Sequence, residues 1–223
     1  KDVKGLLGNL AEQTCRPDQV IVVDASQEDV LSGYLASTTF PFEHRYIRAE
    51  PGVMRQRNMG IDNCDGEFIV CLDDDLILMS DFVEEMLKPF HADPDHRLSA
   101  VIGRIVENQS WLESSPLRAR LNHRLRQFVI HAFLLDKVGS GRFRYSGLPT
   151  YSRDERESRY VECVPGGCVV YRRQVFDQFR YDETFFYPPL DDMDISKWLL
   201  DGGHKVYYQA SACVLHKKSP SGR

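Results

Sequence analysis

The stretch Phe68-Ile69-Val70-Cys71-Leu72-Asp73-Asp74-Asp75 constrains this chain more than any other. Five apolar residues in a row, bounded by polar ones, read as a buried strand of a parallel sheet. The run stops in three consecutive carboxylates. Ligands of open α/β sheets bind at the carboxyl ends of strands, so this strand delivers three acids to the mouth of a cleft. Three like charges side by side repel unless something positive sits among them. A hard divalent cation with oxygen ligands is the natural candidate. The plainer alternative is a solvated acidic turn, with Asp81 capping the next helix.

The flanking elements set that strand in an alternating pattern. Val3, Leu6, Leu7 and Leu10 mark an amphipathic helix ending near Thr14. Gln19 to Asp24 is a strand of β-branched residues, again closed by an aspartate. A short helix follows around Val30 to Ala36, a weak strand over Arg45 to Arg48, and a helix over Val53 to Cys64. Asp81-Phe82-Val83-Glu84 resembles a capping box opening a helix to about His91, and Leu98 to Ile105 is a further strand. This α-β-α-β order predicts a mostly parallel sheet with helices on both faces. Later come a strand over Cys168 to Tyr171, a short helix over Arg172 to Phe179, and a helix over Asp191 to Leu200. The chain closes with two strands, His204 to Gln209 and Ala212 to His216.

The middle differs in character. Between Arg104 and Arg159 there are eleven Lys and Arg residues against six acids. Leu117 to Leu135 reads as one helix and Val138 to Glu157 as a mobile loop. Two readings stand: a solvated basic helix and linker, or a surface for an anionic acceptor or for membrane phosphates, giving peripheral membrane contact. The whole chain is expected to be a single domain. Residues 1–105 form a nucleotide-binding half, 106–160 the arginine-rich helix and loop, and 161–223 an acceptor-side half.

At 223 residues the chain can bury a substantial core. A net charge of −5 argues against a nucleic-acid binder held by phosphate contacts. The six cysteines show no C-x-x-C spacing, and Cys71, Cys168 and Cys213 sit inside apolar runs. That favours a reducing compartment, hence a cytoplasmic protein, peripheral at the inner face of the membrane if the arginine-rich surface binds lipid. No run is long enough for a membrane span, and no signal peptide opens the sequence.

Several stretches together match one pattern: Gln19-Val-Ile-Val-Val-Asp24-Ala-Ser26; Arg57-Asn58-Met-Gly60; Gly66 through Asp75; Val164-Pro-Gly166-Gly167; Phe179-Arg-Tyr-Asp182-Glu183; Asp191-Asp192-Met-Asp194; Gly203-His-Lys-Val; and Val214-Leu-His216. The set resembles the family 2 glycosyltransferases of the GT-A fold, over nearly the whole chain except the arginine-rich middle. The resemblance implies a Rossmann-like α/β sheet flanked by helices. The family's first strand, one wall of its nucleotide pocket, is missing from this sequence, which begins at the following helix. The acidic pair of the late helix is Asp191-Asp192 where the family usually has Glu-Asp.

The resemblance further implies a donor that is a nucleotide-diphosphate sugar, UDP- or dTDP-linked, and a glycan or lipid-linked acceptor. Asp75 would hold Mn²⁺ or Mg²⁺ directly, Asp73 would touch the ribose or the metal, and Asp74 would turn away or assist. His216 is a further metal candidate, and an imidazole ligand favours Mn²⁺; the alternative is a surface histidine. Asp24 would accept the imide N–H of uracil or serve as a helix N-cap. Arg57 would reach the base or diphosphate, or be an exposed helix arginine. Ser26 and Asn58 belong to the same nucleotide-binding set. Gly166 and Gly167 would let the backbone approach the sugar closely, or simply form a turn. Asp192, with Asp191 second, would be the general base that takes the acceptor proton, although acids are common at helix starts anyway. One base and a metal-activated leaving group suffice for a single displacement with inversion. Two rivals remain: a two-metal nucleotidyltransferase or hydrolase using the same aspartates, and a non-catalytic GT-A-like binding module.

Overall fold

The structure, a computed structural model, describes residues 2–107, 141–184 and 189–217. The elements are α1 (Asp2–Ala11), β1 (Gln19–Asp24), α2 (Ser32–Ser37), β2 (Glu43–Arg48), α3 (Val53–Asp62), β3 (Phe68–Leu72), β4 (Leu76–Leu78), α4 (Phe82–His91) and β5 (Leu98–Glu107). They continue with β6 (Arg159–Val161), β7 (Cys168–Arg172), a 3₁₀ turn (Arg173–Asp177), α5 (Pro189–Asp201) and β8 (Lys205–His216). The helix expected over Leu117 to Leu135 lies outside the described residues. No helix among the described residues is long and apolar enough to cross a membrane.

The α/β class holds, with a central sheet flanked by helices, but the strand directions differ from expectation. Six strands form one sheet in the order β3-β7-β5-β8-β4, with β6 also on β8. Within it only β5 and β8 run parallel; the β3–β7, β5–β7, β4–β8 and β6–β8 pairs are antiparallel. The mostly parallel sheet of the sequence reading is therefore corrected to a mixed one. β7 enters between β3 and β5 and runs antiparallel to both, which interrupts the parallel order expected of successive β-α-β units. The two closing strands are one continuous strand. β8 spans twelve residues, with a register irregularity opposite Gly103–Arg104 where two strands were expected.

β1 and β2 form a separate parallel pair. No strand of the described residues pairs with the outer edge of β1 or of β3. Val20 to Val23 of β1 are consequently only partly buried, whereas all five residues of β7 are buried.

Period-two alternation divides the core. Val101 and Val170 face a cluster with Leu7 of α1, Leu35 of α2 and Phe82, Met86 and Phe90 of α4. Ala100, Ile102, Val169 and Tyr171 face the opposite side, onto Met54 and Ile61 of α3 and Ile195 and Leu199 of α5. The capping box expected at Asp81 does not form. Asp81 makes no side-chain cap, and the Val83 N–H is taken by the buried Gln13 side chain at 3.0 Å.

Candidate active site

The β3–β7 register sets the site. Leu72 lies opposite Cys168, and one step further the Asp73 N–H donates to the Gly167 carbonyl at 3.0 Å. The acidic turn therefore rests on the Pro165-Gly166-Gly167 segment. A Cβ at Gly167 would stand 1.9 Å from Asp73 Oδ2. A Cβ at Gly166 would stand 2.1 Å from Arg57 Nη1 and 2.2 Å from Asp192 Oδ1. The two glycines were expected to make room for a sugar. Here the absent side chains already make room for the protein's own Asp73, Arg57 and Asp192.

The other end of the turn is fixed by β4, whose Leu76 lies opposite His216 of β8. The Lys217 N–H donates to the Asp75 carbonyl at 2.9 Å, and His216 Nε2 sits 3.1 Å from Asp75 Oδ2. The second Asp75 oxygen, Oδ1, is buried and accepts no hydrogen bond among the described residues. A buried carboxylate oxygen without a donor is costly unless something fills its place. No group of three or more His, Cys, Asp or Glu among the described residues forms a metal cluster. What the turn offers a divalent ion is a partial ligand set, the unpartnered Asp75 oxygen and the His216 imidazole, with further oxygens left for a ligand to supply. Asp73 stands beside this pair. Loss of water around its carboxylate raises its pKa; Arg57 opposes the shift, and Asp75 adds to it. Asp74 lies at the exposed apex of the turn.

Asp191 and Asp192 stand in the first turn of α5. Ser196 ties the helix start to the glycine segment: its hydroxyl donates to the Asp192 carbonyl and accepts the Val164 N–H at 2.8 Å. Asp191 is buried, and Arg57 Nη1 lies 2.6 Å from its Oδ2 and 3.4 Å from Asp192 Oδ1. Burial, reinforced by the neighbouring Asp191, pushes the Asp192 carboxyl up to about 6, against the pull of Arg57 and of the Gly166 N–H. For Arg57, burial works against the charge, but Tyr181, Asp191 and Asp192 outweigh it and raise its pKa. The acidic turn and the α5 acids are therefore neighbours across one short glycine segment.

The remaining candidates fall into a second group. The Asp24 carboxylate is buried at the end of β1. It accepts the Ser26 N–H at 2.8 Å, the Tyr46 hydroxyl at 2.8 Å and Arg48 Nη1 at 3.0 Å. Burial raises its pKa, but the hydrogen bonds from Ser26 and Tyr46 and the Arg48 charge bring it below the usual carboxylate value. Ser26 also accepts Arg48, through its backbone carbonyl, at 2.6 Å. Asn58 is buried and bonded to other residues; its amide donates to the Tyr181 carbonyl at 2.9 Å and accepts the Tyr181 N–H at 3.2 Å.

Sequence reasoning missed four residues here. Tyr46 and Arg48 hold Asp24, brought to it by the parallel β1–β2 register that sets Arg48 opposite Asp24. Tyr181 packs its ring 5.5 Å from the Arg57 guanidinium. Tyr151 has its pKa raised by burial and by the charges of Asp192 and Asp191, so it shares their surroundings. Nothing local in the sequence marked either tyrosine. Tyr151 follows a short hairpin in which Phe143 pairs with Pro149 and the Arg144 N–H donates to the Leu148 carbonyl at 2.9 Å.

The solved structures that this chain resembles include TarS of S. aureus, at 13% identity and a TM-score of 0.60, covering 99% of this chain and 35% of that one. GalNAc-T7 with UDP, GalNAc and Mn²⁺ matches at 12% identity and 0.60, covering 92% and 38%. The mannosyltransferase PcManGT of Pyrobaculum calidifontis, with GDP-Man and Mn²⁺, matches at 14% identity and 0.63, covering 99% and 54%. At these identities the likeness is one of fold, the GT-A fold, and this chain spans roughly a third to a half of each of the three. No curated protein matches. The family described as Glycosyl transferase family 2 matches residues 1–180, and the chain belongs to that glycosyltransferase family.

Proposed function

We propose that this chain transfers a sugar from a nucleotide-diphosphate sugar, UDP- or dTDP-linked, to a hydroxyl of a glycan or lipid-linked acceptor, with inversion. The observation that carries this reading is the juxtaposition across Gly166-Gly167 of an acidic turn and an Asp192 carboxyl pushed up to about 6. A solvated acidic turn would not bury Asp75 Oδ1 without a donor. Membership of family 2 supports sugar transfer, and the Mn²⁺ and nucleotide sugars of GalNAc-T7 and PcManGT support a divalent ion and a donor of that class.

Asp75 and His216, with Asp73 beside them, would hold Mn²⁺ or Mg²⁺. That ion, when bound, neutralises the negative charge that gathers on the departing diphosphate. Asp24 and Ser26 face the base and ribose side, and Asp74 assists at the apex. Asp192 accepts the proton of the attacking hydroxyl as the acceptor oxygen bonds to the anomeric carbon and the bond to the diphosphate breaks. A carboxyl titrating near 6 is mostly ionised at neutral pH yet basic enough to take that proton. One displacement of this kind inverts the anomeric centre.

A panel of sugar nucleotides incubated with Mn²⁺, scored for donor hydrolysis and transfer, tests the reading. Turnover of at least one donor, lost in Asp192→Asn while Mn²⁺-dependent nucleotide binding persists, is the expected result. A chain that binds a sugar nucleotide, turns over none and is indifferent to Asp192→Asn is a binding module instead. Cleavage of nucleoside triphosphates without sugar transfer marks a nucleotidyltransferase or hydrolase.

A further inference from the structure

Arg57 and Asn58 were expected to touch the nucleotide. Their side chains are committed elsewhere. The buried Asn58 amide grips the Tyr181 backbone through both its carbonyl and its N–H. Asn58 also donates to Glu183 at 3.0 Å, which locks the 181–183 segment onto α3. Tyr181, so fixed, lays its ring beside the Arg57 guanidinium. Arg57 then meets both carboxylates of α5 through one nitrogen, while Gly166 leaves it the space to do so. We propose that the Arg57-Asn58 pair is a positioning clasp for the general base: Asn58 sets Tyr181, Tyr181 sets Arg57, and Arg57 grips Asp191 closely and Asp192 more loosely, aiming Asp192 across the glycine segment.

The charge arithmetic requires such a clasp. Asp191 and Asp192 are adjacent on one helix turn, and Asp191 is 2% exposed. A buried carboxylate with no counter-ion protonates or unfolds its surroundings, and two neighbouring carboxylates cannot both ionise cheaply. Arg57 is the cation that either acid pairs with among the described residues. The other titratable groups facing Asp192 raise proton affinity or leave it neutral: Asp191 on α5, Tyr181 beside α3, and Tyr151 after the hairpin. The shorter contact goes to Asp191. Asp191 is thus neutralised in place, and Asp192 keeps only a longer, weaker hold, which leaves it available to a proton.

This inference rests on Asp192 as the proton acceptor, and its test needs no turnover. The Asp192 carboxyl ¹³C resonance is titrated in the wild type, Arg57→Lys and Arg57→Met, and Mn²⁺–UDP affinity is measured by calorimetry on the same samples. In Arg57→Met the Asp192 midpoint should rise by about one unit or more, the usual influence of an adjacent guanidinium on a carboxylate. Arg57→Lys should fall between, since a point charge replaces the planar fork. Arg57 also acts on Asp73, so a change in Mn²⁺–UDP affinity accompanies the shift of the midpoint without replacing it. Arg57→Gln, equally uncharged but polar, should reproduce the rise and serves where Arg57→Met does not fold. An unmoved midpoint in a folded variant overturns the proposal. So does a loss of Mn²⁺–UDP affinity with the midpoint unchanged, which returns Arg57 to the nucleotide. Failure of the transferase reading is seen separately, as a wild type that turns over no sugar nucleotide.

Discussion

Two carboxylates, each at the end of a regular element, have opposite environments. Asp24 ends β1 with three donors supplied by the fold and a pKa below the ordinary value of 3.8. Asp192 stands in the first turn of α5 among burial, Asp191 and a distant arm of Arg57, and its carboxyl is pushed up to about 6. The first is finished by its own chain; the second, like Asp75 with its unpartnered oxygen, is left incomplete. A carboxylate satisfied within the fold steadies it, whereas one held back from its ionised state is available for chemistry. The two therefore tie stability to pH with opposite slopes. Asp24 stabilises above 3.8 and loses that contribution as pH falls through its lowered value. Asp192 favours the fold while protonated and gives that contribution up as pH rises from 3.8 through about 6.

Breaking the incomplete side should produce the largest effects. Asp192→Asn is expected to lower turnover by about 10³-fold, within the usual range for losing a general base, with donor affinity retained. Steady-state rates beside calorimetry check it, and a fall in affinity with turnover intact would move Asp192 to the donor side. Asp75→Ala should abolish the Mn²⁺ dependence of nucleotide binding, because the buried oxygen and the His216 partner are lost together. Unchanged Mn²⁺-dependent affinity would remove the metal from the acidic turn. In the intact enzyme, turnover should rise with pH through a midpoint near 6 as Asp192 ionises, and a rate flat from pH 5 to 8 would contradict that assignment.

The completed side sharpens the comparison with smaller effects. Asp24→Asn should flatten the loss of stability on acidification below pH 4 and change stability at pH 7 more than at pH 3, measured by denaturant unfolding at both. A larger effect at pH 3 would reverse the stated environment. Hydrogen exchange draws the same contrast in the backbone. The amides of β1, half-buried with one edge unpaired among the described residues, should exchange faster than those of β7, buried between two strands.

Much of the site was legible because its signals are local. An apolar run ending in Asp73-Asp74-Asp75, an aspartate closing Gln19–Asp24 and a helix opening at Asp191 need only neighbours in sequence. Strand direction was not legible, since it depends on where β7 enters, and no periodicity records that. His216 meets Asp75 only because β4 pairs antiparallel with β8 across 141 residues. Arg57 was visible as a residue, but its partners were not: they lie 134 and 135 positions away and reach it only through the Gly166 opening. Asn58, read from its place beside Arg57, proved to be bound to Tyr181. The arginine-rich stretch lies largely outside the described residues, and of its described members Arg104 pairs with Asp154 at 2.6 Å.

The central claim is that the acidic turn and Asp192 border one hollow. Paramagnetic relaxation by Mn²⁺ tests it directly: Mn²⁺ and UDP are titrated into the wild type and Asp75→Ala while the ¹³C carboxyl signal of Asp192 is followed. The account expects Asp192 to broaden strongly in the wild type and to stay sharp in Asp75→Ala. An Asp192 signal that stays sharp in the wild type while Mn²⁺ is bound would contradict it.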